Sequence, residues 1–373
     1  MPSRRKRRAL ALAAGAAIAI IAASLGYLRQ SAPASPPAPK PLVNAGDANI
    51  DFVTYDFPSP MVAWALHHPQ NGAIEAGKFW VSRTLDGGRT WQVRMKGEGS
   101  YGGGLTIRFF DEQRGFVAVL GFSPQLYRTS DGGGSWIRLS LPVLQVAEAV
   151  FTDAGHGWLV VRPFDRDQRV YLFSTENGGD SWRRLPDPPN ASLGLVARGP
   201  TEAWLASDLA PSRVYRSVDG GLSWQSRELP RPAIDREFLV GPWQTSVRVL
   251  PGIGVYASAQ CDCLPNGRLD FTSVDGGATW RPFKFMPGVR PFVTAFQDDS
   301  HWWSIDARTL YATLDSGQTW TKVSDQLPDW EFQPHAIDMM HAWARLSVVG
   351  GYGLARTDDA GLHWTRVKVP QST

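Results

Sequence analysis

Carboxylates that recur at a fixed distance from a tryptophan are the first candidates for chemistry in this sequence. Two carboxylates that reach one sugar bond can act on it as general acid and base. Here, however, each lies in its own copy of a segment of the form Ser/Thr-x-Asp-x-Gly-x-Ser/Thr-Trp. The Asp positions, with Asn in the third copy, and their closing Trp residues are Asp86 and Trp91, Asp131 and Trp136, Asn177 and Trp182, Asp219 and Trp224, Asp275 and Trp280, Asp315 and Trp320, and Asp359 and Trp364. Repeated units hold such groups apart, so we predict a structural role and no catalytic residue.

The spacing of the repeat indicates the fold. The closing tryptophans follow one another after 45, 46, 42, 56, 40 and 44 residues, a period that is typical of a four-stranded propeller blade. Within a segment, the Asp can accept hydrogen bonds from backbone N–H groups of its own turn, and the glycines can adopt positive φ. We therefore predict an all-β fold: a single seven-bladed β-propeller with four-stranded antiparallel blades and one such turn between the third and fourth strands of each blade.

The residues between the segments supply the other strands. In the second blade we predict strands at 105–110, 115–120, 126–129 and 136–139, and in the sixth at 292–296, 302–305, 309–313 and 320–323. Residues 49–83 supply three strands before the first segment, and 365–369 supply the last strand of the seventh blade. The count closes at seven blades without a strand borrowed from either end of the chain.

The seven segments resemble Asp-box (BNR) repeats. Across residues 49–369 the chain is similar to the photosystem II stability/assembly factors, whose repeat ends in Tyr-Arg-Thr-x-Asp-Gly-Gly-x-x-Trp; residues 127–136 and 215–224 match that form. The resemblance implies a seven-bladed propeller outside the cytoplasm that binds other proteins as an assembly or scaffold factor. The chain departs from the pattern at Asn177, Ser316, Ala360 and His363.

Asp-boxes also occur in sialidases, and that resemblance implies an alternative function. A sialidase-like hydrolase, or a glycan-binding lectin, would use the central channel, where exposed Trp64, Trp80 or Trp243 could stack on sugar rings. The Arg-Ile/Leu-Pro triplet of sialidases is absent, and those enzymes have six blades. We therefore predict a non-enzymatic scaffold with an unidentified protein partner and no cofactor, and keep an exo-glycosidase or glycan binder as the alternative.

The N-terminal residues predict a membrane or export segment. Residues 1–8 form a basic flank with five consecutive charges, 9–28 contain no charge, 29–44 form a proline-rich linker, and 45–370 form the propeller domain. Twenty apolar residues match the thickness of a bilayer core, and the basic flank favours a cytoplasmic N-terminus. We expect an extracytoplasmic protein, periplasmic or at the cell surface, anchored by this helix, or secreted if the segment is a cleaved signal peptide.

Composition and net charge argue against two further classes of protein. With 43% apolar and 20% charged residues the chain is not a disordered polyampholyte. Its net charge of +3 depends on the five basic residues of the flank, because the remainder has 33 basic and 35 acidic residues. A body so close to neutral argues against nucleic-acid binding.

The histidines and cysteines of the sequence are candidate metal ligands. The spacing Asp-x-x-His-x-Trp occurs at Asp153 and His156, Asp298 and His301, and Asp338 and His341, each between the first and second strands of its blade. Equivalent positions on separate blades cannot close one coordination shell, so we predict hairpin turns and no metal site. We expect the isolated pair His67-His68 to face solvent. For Cys261 and Cys263, a strained disulfide, free thiols and a metal site all remain open.

Arginines precede four of the boxes, at Arg83, Arg128, Arg216 and Arg356. Because repeated positions lie on a common annulus, these residues could form a cationic rim that docks an acidic or extended partner segment. The alternative is that they pair with nearby carboxylates on the solvated face.

Overall fold

The structure is a computed structural model of the chain. It describes residues 51–69, 77–99, 104–121, 123–162, 169–189, 194–207, 212–230, 244–260, 268–283, 293–306, 308–327, 332–348 and 351–367. The predicted N-terminal segment, Trp243 and the Cys261–Cys263 pair lie outside these residues. Within the described part of the chain, no helix has the length and apolar character needed to span a membrane.

The described residues form seven antiparallel sheets, each made of four strands that are consecutive in the chain. Blades 1 and 2 contain β1 (Asp51–Asp56), β2 (Ala63–Pro69), β3 (Gly77–Thr84), β4 (Gln92–Gly99), β5 (Leu105–Phe109), β6 (Gly115–Val119), β7 (Gln125–Thr129) and β8 (Ile137–Leu139). Blades 3 and 4 contain β9 (Glu148–Phe151), β10 (Gly157–Val161), β11 (Tyr171–Thr175), β12 (Arg183–Arg184), β13 (Val196–Arg198), β14 (Glu202–Ala206), β15 (Arg213–Ser217) and β16 (Gln225–Glu228). Blades 5 to 7 contain β17 (Gln244–Val249), β18 (Val255–Gln260), β19 (Arg268–Ser273), β20 (Arg281–Phe283), β21 (Val293–Phe296), β22 (Trp302–Asp306), β23 (Thr309–Thr313), β24 (Thr321–Ser324), β25 (Phe332–Ala336), β26 (Ala342–Val348), β27 (Gly351–Thr357) and β28 (Thr365–Val367).

This arrangement confirms the predicted seven-bladed propeller. The first strands of neighbouring blades contact one another, as β1 does with β5 and β21 with β25, so they lie nearest the axis. The observed strands of the second and sixth blades begin and end within one residue of their predicted bounds. Both β1–β4 and β25–β28 form complete sheets on their own, so no strand is exchanged where the ring closes.

A buried aromatic residue on the second strand organises the core of each blade. The register places it opposite the residue that precedes the box hydroxyl, as in the pairs Trp64 with Arg83 and Trp343 with Arg356. The equivalent residues are Trp64, Phe116, Trp158, Trp204, Tyr256, Trp303 and Trp343. All seven are buried, and some stack across the blade boundary, as Trp64 does on Phe109 at a centroid distance of 3.7 Å.

Among the described residues, side-chain contacts join blade 7 to blade 1. Trp343 stacks on Phe57 with ring centroids 5.4 Å apart, and its indole N–H donates to the Ser59 carbonyl at 3.3 Å. Ala63 and Leu354 complete the buried cluster of this junction. Apolar packing and long-range hydrogen bonds from side chains therefore join the first and last blades of the described ring.

Two expectations about single residues were wrong. His67 and His68 are buried in β2, where His67 stacks on Trp80 at 4.8 Å and its Nε2 bonds the Ser82 hydroxyl at 2.9 Å. Trp64 and Trp80 are buried as well, so neither indole can stack on a sugar ring. A polar pair in a strand gives no sign of burial by itself, because the partners of His67 lie on the next strand, at Trp80 and Ser82.

Candidate functional site

On one face of the ring, all of the turns lie within the residues that the structure describes. Each blade contributes the turn between its first and second strands and the turn between its third and fourth strands, and antiparallel order places both at the same end of the blade. We call these fourteen turns the Asp-box face; they are residues 57–62, 85–91, 110–114, 130–136, 152–156, 176–182, 199–201, 218–224, 250–254, 274–280, 297–301, 314–320, 337–341 and 358–364. Backbone bonds tie the two turns of a blade together, as Gly87 N–H does with the Met61 carbonyl at 2.9 Å.

The box carboxylate organises its own turn. In the first box, Asp86 Oδ1 accepts from the Thr90 N–H at 2.9 Å and Oδ2 accepts from the Thr90 hydroxyl at 2.6 Å. The Thr84 hydroxyl donates to Asp86 Oδ1 at 2.8 Å and accepts from the Gly88 N–H at 2.9 Å. Equivalent bonds are made by Asp131, Asp219, Asp275 and Asp315. Each of these carboxylates is thus used within its own blade.

The boxes that depart from the pattern keep the same geometry. Asn177 accepts from the Ser181 N–H at 3.0 Å through Oδ1 and donates from Nδ2 to the Ser181 hydroxyl at 2.9 Å. In the last box His363 replaces the hydroxyl residue, and its Nδ1 lies 2.6 Å from Asp359 Oδ2. A different donor and acceptor set can therefore close the same turn.

Two boxes place a non-glycine residue where the turn requires positive φ. Ser316 and Ala360 have φ of 56° and 59°, at the position that Gly87 occupies in the first box. We expect Ala360→Gly to raise the free energy of unfolding by about 0.5–1 kcal/mol, because it relieves left-handed strain at a cost in unfolded-state entropy. Urea unfolding followed by tryptophan fluorescence measures the change. Ser316→Gly is the comparison: it should gain less, because the Ser316 hydroxyl donates to the Asp299 carbonyl at 2.8 Å. A gain at Ser316 as large as that at Ala360 would contradict this account.

Hydrogen bonds lower the pKa of three box carboxylates, Asp86, Asp131 and Asp275. The hydroxyl of Thr90 and then its N–H lower the pKa of Asp86 to about 2, and Ser135 does the same for Asp131. At Asp275, burial acts to raise the pKa, but hydroxyl and N–H donors outweigh it and bring the pKa to about 2. A general acid needs a pKa near the working pH, so these carboxylates are suited to holding turns and not to donating protons.

The acid stability of the protein follows from these shifts. An unfolded Asp has a pKa of about 3.9, so the box bonds contribute stability above that pH and lose it as pH falls from about 4 to about 2. Burial lowers the pKa of His67 to about 4, so its contribution is present above about pH 6.5 and is lost as pH falls to about 4. We expect the Tm, followed by circular dichroism, to fall in both windows. His67→Gln should show a smaller fall between pH 6.5 and 4 and an unchanged fall below pH 4. An equal fall in the upper window would count against His67.

The histidines of the first-to-second-strand turns are bonded to the Asp of the same turn. His156 Nδ1 lies 3.0 Å from both oxygens of Asp153, and His301 and His341 have the same partners at Asp298 and Asp338. In the second blade, Arg114 Nε donates to Asp111 at 2.7 Å in the same position. Among the described residues no three His, Cys, Asp or Glu side chains converge as a metal site would require.

The four arginines before the boxes reach the box of the next blade. Arg83 donates to the Gly132 carbonyl at 3.0 Å, and Arg128 donates to the Gly178 carbonyl and to Asp180, both at 2.9 Å. Arg356 crosses the ring closure to the Gly87 carbonyl at 3.3 Å. Arg216 lies against Gly276 of the next box and donates to Glu202. Arg83, Arg216 and Arg356 also lie over the buried Trp of their own blades, at 5.2 to 5.9 Å.

These contacts show what the arginines do within the ring. Arg83 is buried, and the side chains of Arg128, Arg216 and Arg356 are between 16% and 25% exposed. Arg83, Arg128 and Arg356 bond the next blade, and Arg216 lies against it. The sequence did not reveal these links because the residues that the arginines reach are about 50 or more positions away. Their role as a partner-binding rim remains a prediction.

Several other polar links between blades were not predicted. Buried Asp56 of blade 1 accepts from the Phe109 N–H of blade 2 at 2.6 Å and pairs with Arg108 at 3.4 Å. Burial raises the pKa of Asp56, against the opposing effects of Arg108 and the Phe109 N–H. Asp299 of blade 6 accepts from the Ile253 and Gly254 N–H groups of blade 5 at 2.9 and 2.8 Å. No repeat marks these residues, so only packing identifies them.

One tyrosine, Tyr256, has charged hydrogen-bond partners of the kind that a sialidase-like nucleophile would need. Tyr256 bonds Asp270 and Arg268, and Arg268 Nε donates to Asp270 at 2.7 Å. Tyr256 is only 2% exposed, and burial, together with the charge of Asp270, raises its pKa. A nucleophile needs the opposite shift and access to substrate, so this cluster serves the core of blade 5.

Comparison with known proteins adds sequence relatives. No family model matches the chain. It is 24% identical over 295 residues to the chloroplastic photosystem II stability/assembly factor HCF136 of Arabidopsis thaliana, a match that covers 71% of this chain and 67% of the relative. The corresponding factor of Oryza sativa subsp. japonica is 24% identical over 131 residues, which cover 33% of this chain and 30% of the relative.

Solved structures share the architecture. A puromycin-hydrolysing peptidase of Mycobacterium tuberculosis superposes with a TM-score of 0.57 at 12% identity, over 88% of this chain and 54% of that one. YCF48 bound to D1 peptide gives a TM-score of 0.49 at 20% identity, over 70% of this chain and 79% of that one. The match to the peptidase shows a shared fold and nothing about function. The repeats and the sequence relatives agree, and this chain is therefore similar to the photosystem II stability/assembly factors and folds as a seven-bladed β-propeller.

Proposed function

We propose that this chain is a non-catalytic propeller that binds other proteins, as an assembly or scaffold factor. The observation that carries this proposal is the similarity to the photosystem II stability/assembly factor HCF136, which extends over 295 residues and so over most of the blades. A sequence similarity of that length covers most of the propeller and not one isolated motif.

The geometry of the Asp-box face suits a binding platform. Its turns are held by bonds within each box and by Arg83, Arg128 and Arg356 between boxes, so the face changes little in shape when a partner docks. A preorganised surface loses little conformational entropy on binding, which leaves more of the contact energy for affinity. The box carboxylates and Tyr256 are occupied with structural bonds, which favours binding over catalysis.

The cellular setting is part of the proposal. Residues 9–28 support export or anchoring, because their length and lack of charge match a bilayer core. On this ground the proposal includes a propeller outside the cytoplasmic membrane, with the N-terminal segment as its anchor or export signal.

Crosslinking in intact membranes tests the proposal. The full-length chain, tagged at its C-terminus, is crosslinked in cells, solubilised and purified, and the attached polypeptides are identified. We expect a discrete partner that is retained at high stringency and absent when an unrelated exported protein with the same tag is treated alike. Recovery of the chain alone at every crosslinker length would contradict the binding function. Release of a fluorogenic sugar by the purified chain would contradict the non-enzymatic assignment.

A further inference from the structure

Exposed apolar side chains are concentrated on one part of the Asp-box face. Of the twelve large apolar side chains that are exposed among the described residues, nine lie on this face, and all nine belong to blades 1 and 4–7. They are Met61, Leu85, Val218, Leu222, Ile253, Val274, Leu314, Met339 and Met340. Blades 2 and 3 carry Gln113, Ser130, Gly155 and Glu176 at the equivalent turn positions. The repeat does not require apolar residues there, so their presence in the other blades needs another cause.

The junction of blades 7 and 1 holds the most flexible of these side chains. Met61, Leu85, Met339 and Met340, which we call the seam patch, are 40%, 48%, 40% and 42% exposed. Three of the six methionines in the chain lie in this one patch. Methionine side chains are unbranched and polarisable, so a surface built from them adapts to apolar partners of different shape.

Contacts of Arg356 across the ring closure connect the parts of blades 7 and 1 that carry the patch. Met61 and Met340 occupy equivalent positions, because the carbonyl of each accepts from the first turn residue of the adjoining box, Gly87 at 2.9 Å and Ala360 at 3.0 Å. Arg356 of blade 7 reaches over the junction, with Nη1 3.8 Å from the Met61 sulfur and 3.3 Å from the Gly87 carbonyl. The two turns are therefore neighbours on one continuous surface.

The charge of the face around the patch is negative. The fourteen turns of the Asp-box face contain fifteen Asp or Glu residues and two arginines, Arg89 and Arg114. Five further arginines reach onto this face from the strands, so the acidic residues outnumber the arginines by fifteen to seven; these five are Arg83, Arg128, Arg198, Arg216 and Arg356. Asp86, Asp338, Asp358 and Asp359 surround the patch itself, and Arg356 is already bonded to Asp358 at 2.6 Å. The chain after its basic flank is nearly neutral, so this face is set apart from the rest of the surface by its charge.

We propose that the seam patch binds a basic amphipathic segment of a partner protein. The apolar side of the segment would cover the three methionines and Leu85, while its Lys or Arg residues would lie over the surrounding carboxylates. This inference rests on the protein-binding function proposed above, and it names the chemistry of the partner and the place where it docks.

Charge also argues against other occupants. An anionic membrane surface would be repelled by the excess of carboxylates over arginines on the same face. A second copy of the chain docked through the same face would oppose like charges across a two-fold axis. A cationic segment gains from both the apolar and the acidic character of the patch.

A synthetic peptide provides the test. The full-length chain in nanodiscs of zwitterionic lipid is titrated into a labelled 18-residue peptide of Leu and Lys arranged as an amphipathic helix, and anisotropy gives Kd. The triple variant Met61→Gln/Met339→Gln/Met340→Gln replaces three of the four apolar side chains of the patch without altering charge. Val218→Gln/Val274→Gln/Leu314→Gln is the matched control, with three exposed residues replaced on the same acidic face.

We expect the triple methionine variant to bind the peptide at least tenfold more weakly than the unaltered chain, and the control variant to bind within twofold. High salt should weaken binding by tenfold or more, and a peptide with Glu in place of Lys should not bind. Absence of binding to the unaltered chain, or equal binding by the methionine variant, would overturn the inference. A tenfold gain in affinity on replacing Arg4, Arg5, Lys6, Arg7 and Arg8 with Ala would assign the patch to the chain's own N-terminus and overturn it too.

The same variant separates this inference from the function on which it rests. If the methionine variant recovers its crosslinked partner in membranes as well as the unaltered chain does, the protein-binding function stands and the seam patch is not its site. If neither chain recovers a partner, the protein-binding function itself fails.

Discussion

Replacing Trp343 with Ala is expected to lower the free energy of unfolding by about 3–5 kcal/mol and to open the ring between blades 7 and 1. Trp343 is 1% exposed, stacks on Phe57 and bonds the Ser59 carbonyl. Blades 7 and 1 are not consecutive in the chain, and their sheets are separate, so neither a linker between them nor sheet hydrogen bonds can compensate for the cavity that the lost indole leaves. Denaturant unfolding gives the total loss, and amide hydrogen exchange of β1 and β27 reports the opening.

Trp158→Ala is the matched control for ring opening. Trp158 occupies the equivalent position in blade 3, is 2% exposed and contacts blade 4, which follows it directly in the chain. We expect a similar loss of stability, but without faster exchange in β1 or β27. Equal protection of these two strands in both variants would show that Trp343 does not hold the junction.

Replacing Gly88 with Ala is expected to cost about 3 kcal/mol. Gly88 has φ of +85°, and a Cβ there would lie 2.1 Å from Val367 Cγ1 on the last strand of blade 7. Left-handed backbone costs a non-glycine residue about 1–2 kcal/mol, and overpacking adds about 1–3 kcal/mol. The free energy of unfolding in urea measures the sum.

Two further variants separate the two causes. Gly199 has φ of +63° and no atom within 4 Å of an added Cβ, so Gly199→Ala should lose only about 1 kcal/mol. Val367→Ala combined with Gly88→Ala should recover part of the loss through the relieved contact. If Gly88→Ala and Gly199→Ala lose the same amount, the first box does not pack against blade 7 as closely as described.

Both predictions concern the junction that also carries the seam patch. Trp343 and Phe57 lie beneath the turn that presents Met61, and Gly87 and Gly88 belong to the box that presents Leu85. Variants that loosen the junction should therefore weaken peptide binding as well. The methionine substitutions should weaken binding and leave the unfolding free energy unchanged, because those side chains are exposed.

The amino-acid sequence determined the features that depend on short-range contacts. The hydrogen bonds of a box join residues two to four positions apart, so the segment from Thr84 to Trp91 defines its turn without outside help. Seven such turns at a period in the forties determine the number of blades and the strand order. The same locality explains why Asn177 and His363 could be recognised as boxes despite their substitutions.

Tertiary structure alone decided which residues meet between blades. Arg83 finds its carbonyl partner 49 residues away at Gly132, and Trp343 finds Ser59 at the opposite end of the chain. His67 and Trp80, for which the sequence suggested exposure, are buried and stack on each other across β2 and β3. The seam patch likewise exists only in the closed ring, because blades 7 and 1 are distant in sequence and packing alone brings their turns to one surface.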